Sequence, residues 1–206
     1  MRGKPRRKRR GGCYKTRFVV ERGMELQRSA MPTDPTYNRH VYIYLLATAG
    51  RTADARRVLD EVEEDMGETY PRKMNSLASL GLFEMGSGDF VAAAEQFERI
   101  VNEFRFKGFT SRFALAVAHL KSDRLSEAVE DLEALVTDYG DDRIAANPTW
   151  SVKTHYFLAK AYERSGWKSQ AAEQYGRFLG FWGDGDAGIP AVEDARASLA
   201  RLVGES

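Results

Sequence analysis

A spacing that recurs four times constrains this chain more than its composition does. Ala55, Ala93, Ala128 and Ala171 stand 38, 35 and 43 residues apart. Five residues before each comes a turn former: Gly50, Gly88, Asp123 and Gly166. Four residues after each comes a large side chain: Leu59, Phe97, Leu132 and Tyr175. Four residues is about one helical turn, so each alanine shares a helix face with its large neighbour. A small residue suits the point where two helices cross, and a large one fills the gap beside it. The turn formers separate stretches whose apolar residues recur at helical spacing. The chain therefore reads as four helix hairpins.

The hairpins follow in order. YNRHVYIYLLATAG, with Val41, Tyr44, Leu45 and Thr48 near one stripe, leads through Gly50-Arg51 into ARRVLDEVEEDMG. The stretch Leu80 to Phe104 is the clearest unit, its first helix starting near Arg72. Gly81 lets another helix approach there, and Asp89 is placed to N-cap the helix after Gly88. In the third, Leu115, Ala116 and His119 precede the Ser122-Asp123 turn. In the fourth, Leu158, Ala159 and Tyr162 precede Gly166-Trp167. Asn147-Pro148 breaks the chain between the last two hairpins. A final helix from Pro190 to Val203, with proline favourably at its start, would cover the end of the stack.

Nine residues before the four alanines stand Leu46, Glu84, His119 and Tyr162, and only Tyr162 gives the aromatic that the best-known pattern of this kind prefers. The spacing resembles the tetratricopeptide repeat (TPR), a helix-turn-helix of about 34 residues with L-G-x-x-Y followed by A-x-x-x-F. The first tryptophan and the closing proline of that pattern are missing throughout. The resemblance covers residues 36–183 in four degenerate repeats. Residues 37–62 also look somewhat like a pentatricopeptide repeat. The run from Ala159 to Leu202 is similar to the ends of TPR regions in bacterial signalling proteins such as serine/threonine kinases and transcriptional activators. The resemblance implies an all-α fold: a right-handed α-solenoid of antiparallel helix pairs with a capping helix at 190–203, in a repeat domain over residues 36–206.

It also implies where a partner lies. First helices of TPR pairs line a concave groove, and the repeat register puts Tyr37, His40 and Tyr44 there from the first hairpin. Asn75, Ala78 and Leu82 follow from the second, Thr110, Phe113 and Val117 from the third, and Lys153, Tyr156 and Lys160 from the fourth. Such a surface, apolar and aromatic with a basic end, suits a protein or peptide ligand with a few apolar anchors. The carboxylate clamp of chaperone-binding relatives has no counterpart, because His40, Tyr44, Leu82, Thr110 and Ala114 occupy its positions. The function implied is a protein–protein interaction scaffold, as a regulatory module of a signalling system or as a stand-alone relative.

Composition bounds the alternatives. Charged residues make up 30% of 206 and hydrophobic ones 43%, which suits a soluble helical protein. No apolar run is long enough to span a membrane. Cys13 is the single cysteine, so an internal disulfide and a cysteine metal site are excluded, and a reducing cytoplasm is the simplest compartment. The net charge of +1 conceals an asymmetry: residues 1–28 carry 11 Lys/Arg and 2 Asp/Glu, and the remainder 20 and 28. The run MRGKPRRKRR has nothing to bury and reads as disordered, as does the basic segment 1–31 as a whole. Its charge opens a second reading, a nucleic-acid-associated helical-repeat protein, against which the acidic body argues.

Catalytic constellations are not evident. His40, His119 and His155 fall at similar first-helix positions of different repeats, and His119 is expected to pack between helices. No H-E-x-x-H, phosphate loop or nucleophile elbow occurs. Asp184-Gly185-Asp186-Ala187-Gly188 resembles part of a calcium loop, but the twelfth position, where a Glu is needed, is Ala195. The expectation is a non-enzyme with no cofactor and no metal.

Overall fold

In the computed structural model, the four turn formers share one backbone conformation. Gly50, Gly88, Asp123 and Gly166 have φ of 74°, 88°, 68° and 80°. Each sits just past the end of a helix, where a left-handed residue lets the chain reverse. The next residue then donates its N–H five residues back: Arg51 to Leu46, Asp89 to Glu84, Arg124 to His119 and Trp167 to Tyr162. These bonds satisfy carbonyls that the helix end would otherwise leave open. The carbonyls of Arg51, Arg124 and Trp167 in turn accept from Ala55, Ala128 and Ala171, which starts the following helix. The recurring spacing is thus a recurring stop-and-start device.

The structure describes residues 21–23, 25, 37–66, 70–103, 108–137, 148–183 and 189–204. The basic run at 1–10, Cys13 and the calcium-like Asp184–Gly188 lie outside them. The helices are α1 (Tyr37–Thr48), α2 (Thr52–Met66), α3 (Tyr70–Ser87), α4 (Phe90–Asn102) and α5 (Phe109–Lys121). Then follow α6 (Leu125–Thr137), α7 (Pro148–Arg164), α8 (Lys168–Trp182) and α9 (Pro190–Gly204). The fold is all-α among the described residues. Where the sequence suggests a single array, the chain groups into two compact units, divided between Asp89 and Phe90. The boundary cuts the Leu80–Phe104 hairpin, so α3 belongs to the first unit and α4 to the second.

In the first unit α1, α2 and α3 pack on one another. Ile43, Leu46, Ala55 and Leu59 are wholly buried at its centre. Gly86 permits the closest approach: a Cβ there would lie 2.7 Å from the Ala47 Cβ and 2.8 Å from the Tyr44 carbonyl oxygen. The sequence points to Gly81 for this role. Gly81 is buried, but the tight crossing falls five residues later.

In the second unit each helix from α4 to α9 packs on the next. Ala128, Leu132, Ala171, Tyr175 and Phe178 have no exposed surface, and Ala93 and Phe97 on α4 are buried as well. Burying a side chain of the Leu or Phe class stabilises by about 1.5–3 kcal/mol, so these positions carry much of the fold. His119 on α5 is 4% exposed. Its Nδ1 is 2.8 Å from Asp131 on α6 and its Nε2 is 3.1 Å from Glu98 on α4. It packs between helices as expected, tying three together. Burial would lower its pKa, but the two carboxylates outweigh burial and raise it.

A candidate partner-binding surface on the first helices

In the first unit, α1 and α3 run side by side with matched direction. His40 meets Ser79 through Nδ1 and Oγ at 2.5 Å, while Tyr44 and Ala47 meet Gly86. An offset of 39 residues therefore aligns the two helices. Ser79 donates its own hydroxyl proton to the Asn75 carbonyl at 3.0 Å. Its oxygen is left to accept from His40, which places the imidazole proton on Nδ1. Burial lowers the His40 pKa, so the ring is neutral at neutral pH. Tyr44, Asn75, Ala78 and Leu82 remain half-buried on these two helices. The repeat register thus brings four expected surface residues onto adjacent helices, joined by the His40–Ser79 bond. Tyr37 opens α1, and its side chain lies outside the described residues.

The second unit treats its expected residues differently. Phe113 is 5% exposed. Its ring stands edge-on to Trp150 at 5.1 Å and to Phe157 at 5.5 Å. That burial makes it a core residue rather than a surface anchor, because α7 supplies aromatic rings that cover it. Val117 is half-buried against the same core, and Thr110 is exposed. Lys153 lays its ammonium 4.9 Å from the centre of the Trp150 ring, and burial lowers its pKa.

Tyr156 and Lys160 are engaged within the chain. The Tyr156 hydroxyl donates to Asp194 at 2.9 Å, and the Lys160 ammonium donates to the same oxygen at 3.1 Å. Asp194 belongs to α9. One turn further along α7, Glu163 accepts from Tyr175 of α8 at 2.6 Å and from Arg201 of α9. Burial would raise the Asp194 and Glu163 pKa values, but Lys160 with Tyr156, and Tyr175 with Arg201, hold them below the ordinary range. Burial, reinforced by Asp194, raises that of Tyr156. The register finds the α7 residues but misses their partners. Asp194 and Arg201 lie seven residues apart, a helical-face spacing that could have signalled a docked helix.

His155 is buried on α7, with Nδ1 2.8 Å from Gln174 and its ring stacked at 6.0 Å on Phe181. The three histidines thus each bond within the helix packing. Among the described residues no helix is long and apolar enough to cross a membrane.

Comparison with solved structures fixes the fold. A crystal structure of a putative kinesin light chain from Podosopora anserina with nearly identical TPR-like repeats superposes with a TM-score of 0.54, at 19% identity, over 91% of this chain and 87% of that one. A single-substitution variant of the same protein gives the same score and identity, over 91% and 86%. This chain has a TPR-like fold. No family model matches it, and no curated protein does either. At this identity the TPR-like likeness concerns the arrangement of helices, and the chemistry must be argued from the side chains.

Proposed function

We propose that this chain is a protein-interaction scaffold that holds a protein or peptide segment against α1 and α3, the first helices of its first two pairs. One observation carries the reading. The residues that recur with the repeat are spent on packing and turns, whereas Tyr44, Ala78 and Leu82 are half-buried on the adjacent α1 and α3. A tyrosine that is half-buried is the kind of anchor on which interfaces depend.

A photo-crosslinking amino acid placed singly at Tyr44, Leu82 or Val91 of the full chain tests this. Val91 is 59% exposed on α4, a second helix of a pair. The proposal expects one shared crosslinked species from positions 44 and 82, competed by unlabelled chain, and none from 91. Equal crosslinking at all three positions would refute it.

A further inference from the structure

The third and fourth hairpins set equivalent residues around equivalent carboxylates, with one exchange. His119 and Tyr162 each stand nine residues before their hairpin's alanine, Ala128 or Ala171, and Arg124 and Trp167 each stand four before it. Glu98 and Glu133 each stand five residues after the alanine of the hairpin before, Ala93 or Ala128. In the third hairpin Glu98 meets His119 at 3.1 Å and accepts from the Arg124 guanidinium at 2.7 Å. In the fourth, Glu133 accepts from the Tyr162 hydroxyl at 2.5 Å. Trp167 holds the place of Arg124, and Glu133 pairs with no cation among the described residues.

The turn does not call for an indole. The residues at this place in the other three turns are Arg51, Asp89 and Arg124, all charged. Trp167 is nevertheless firmly held. Its N–H donates to the Tyr162 carbonyl at 2.8 Å, and its own carbonyl accepts from Ala171 at 3.0 Å. Its ring leans on the Tyr162 ring, with centroids 5.5 Å apart and planes at 32°. The indole is still 47% exposed, and Glu133 is exposed as well. Two guanidiniums of the same unit are committed elsewhere. Arg164 donates to Asp123 at 2.6 Å and to the Leu120 carbonyl, and Arg177 donates to Glu173 at 2.7 Å. Burial, reinforced by Glu133, raises the Tyr162 pKa, which keeps its phenol a donor to that carboxylate.

We propose that Trp167, Tyr162 and Glu133 form a site for an arginine side chain of a partner protein, whose guanidinium takes the part that Arg124 plays one hairpin earlier. It pairs with Glu133 and lies against the indole. A planar, weakly hydrated guanidinium can do both at once, whereas a compact, strongly hydrated ammonium is less suited to stacking. A backbone fixed on both sides of Trp167 lowers the cost of ordering the site on binding. The inference goes beyond the scaffold reading: the site belongs to the second unit and does not depend on α1 and α3.

The test titrates the full chain, labelled with nitrogen-15, with the blocked tripeptide acetyl-Ala-Arg-Ala-amide and follows it by NMR. The Trp167 indole N–H signal is assigned by its loss in Trp167→Leu. It should shift saturably, while the Trp150 and Trp182 signals stay in place. The same peptide with citrulline, which keeps the shape without the charge, should bind at least about tenfold more weakly. The lysine peptide should also bind more weakly than the arginine one. Glu133→Gln should weaken arginine-peptide binding by about tenfold or more. Trp167→Arg supplies the guanidinium from the chain itself, and its Gly166 amide signal should no longer respond to the peptide. If Glu133→Gln loses its cooperative melt, Trp167→Arg, a change at an exposed position, decides alone.

No response of the wild type, or binding of the citrulline or lysine peptide equal to that of the arginine peptide, overturns the proposal. So does a Trp167→Arg chain that still binds. Tighter binding of free L-arginine than of the peptide overturns it too, because the site would then take a small molecule. A Trp167 shift that grows with protein concentration in the absence of peptide would make the occupant a second copy, and also counts against it. Peptide failure with crosslinking intact at positions 44 and 82 sinks this inference alone. Loss of those crosslinks with peptide binding intact sinks the α1 and α3 surface alone.

Discussion

Gly86 and Ala47 mark the closest crossing in the first unit, where a Cβ on Gly86 would stand 2.7 Å from the Ala47 Cβ. Alanine in place of glycine within a helix ordinarily stabilises by about 1 kcal/mol. Here the sign reverses, because both the Ala47 side chain and the Tyr44 carbonyl are in the way. Gly86→Ala should destabilise by about 1–3 kcal/mol, the usual range for overpacking. Gly176 in α8 has nothing within 4 Å of an added Cβ. Gly176→Ala should therefore stabilise by up to about 1 kcal/mol. Urea titrations of the two variants check the opposite signs.

The left-handed turn residues divide by type. Gly50→Ala and Gly166→Ala each force a side chain into positive φ in open space, at about 1–2 kcal/mol. Asp123 already accepts that conformation, and its carboxylate pairs with Arg164 at 2.6 Å. That carboxylate is 78% exposed, so the pair contributes well under about 1 kcal/mol. Asp123→Gly should leave stability within about 0.5 kcal/mol of wild type, because relief of φ offsets the lost pair. Asp123→Val should destabilise by about 1–2 kcal/mol. Thermal melts of the four variants test the ranking.

His119 makes the stability of the second unit depend on pH. Its pKa is raised in the folded state. Its contribution is therefore fully present below the ordinary histidine value of about 6.5 and is lost as pH rises through the raised value. Glu98 has the opposite sign. Burial would raise its pKa, but His119 and Arg124 lower it, so its contribution is lost on acidification through that lowered value. Arg124 also pairs with Glu127 at 3.0 Å, which keeps one positive charge beside Glu98 above neutrality. His119→Gln should cost about 1–2 kcal/mol near pH 6, less than the about 3–5 kcal/mol of a fully buried pair. Glu98 and Asp131 remain about a third exposed, which accounts for the discount. The difference from wild type should shrink by pH 9. Urea midpoints of wild type and variant at both pH values measure it.

The large residues of the repeat predict a core loss and a hydrogen-bond loss that can be separated. Leu132 has no exposed surface, so Leu132→Ala should cost about 2–5 kcal/mol. Tyr175→Phe keeps the ring and removes only the hydroxyl bonded to Glu163 at 2.6 Å. It should cost about 1 kcal/mol. Equal losses from both would show that the Tyr175 hydroxyl carries more than one bond's worth of stability.

The helix pairs are legible because their signals are local. A left-handed turn residue, an alanine five positions on and a large residue four beyond that all lie within ten residues, and all four sets take the roles assigned to them. What a sequence cannot reveal locally is which helix arrives against which. Gly81 and Gly86 lie on the same helix, and only the 39-residue offset between α1 and α3 selects Gly86. Phe113 has the right register for a groove, but Trp150 and Phe157 close over it from another helix. Tyr156 and Lys160 fall on α7 as the register expects, whereas Asp194, 38 residues beyond Tyr156, gives no local sign of being their partner. The division between Asp89 and Phe90 falls inside the hairpin that looks most complete as sequence.

Hydrogen–deuterium exchange of the full chain, with and without the protein crosslinked through Tyr44, tests the central claim most directly. If partners lie on first helices, exchange slows in α1 and α3, at Tyr37–Thr48 and Tyr70–Ser87, while Thr52–Met66 of α2 is unchanged. Slowing confined to α2 and α4, with α1 and α3 unaffected, would contradict the claim.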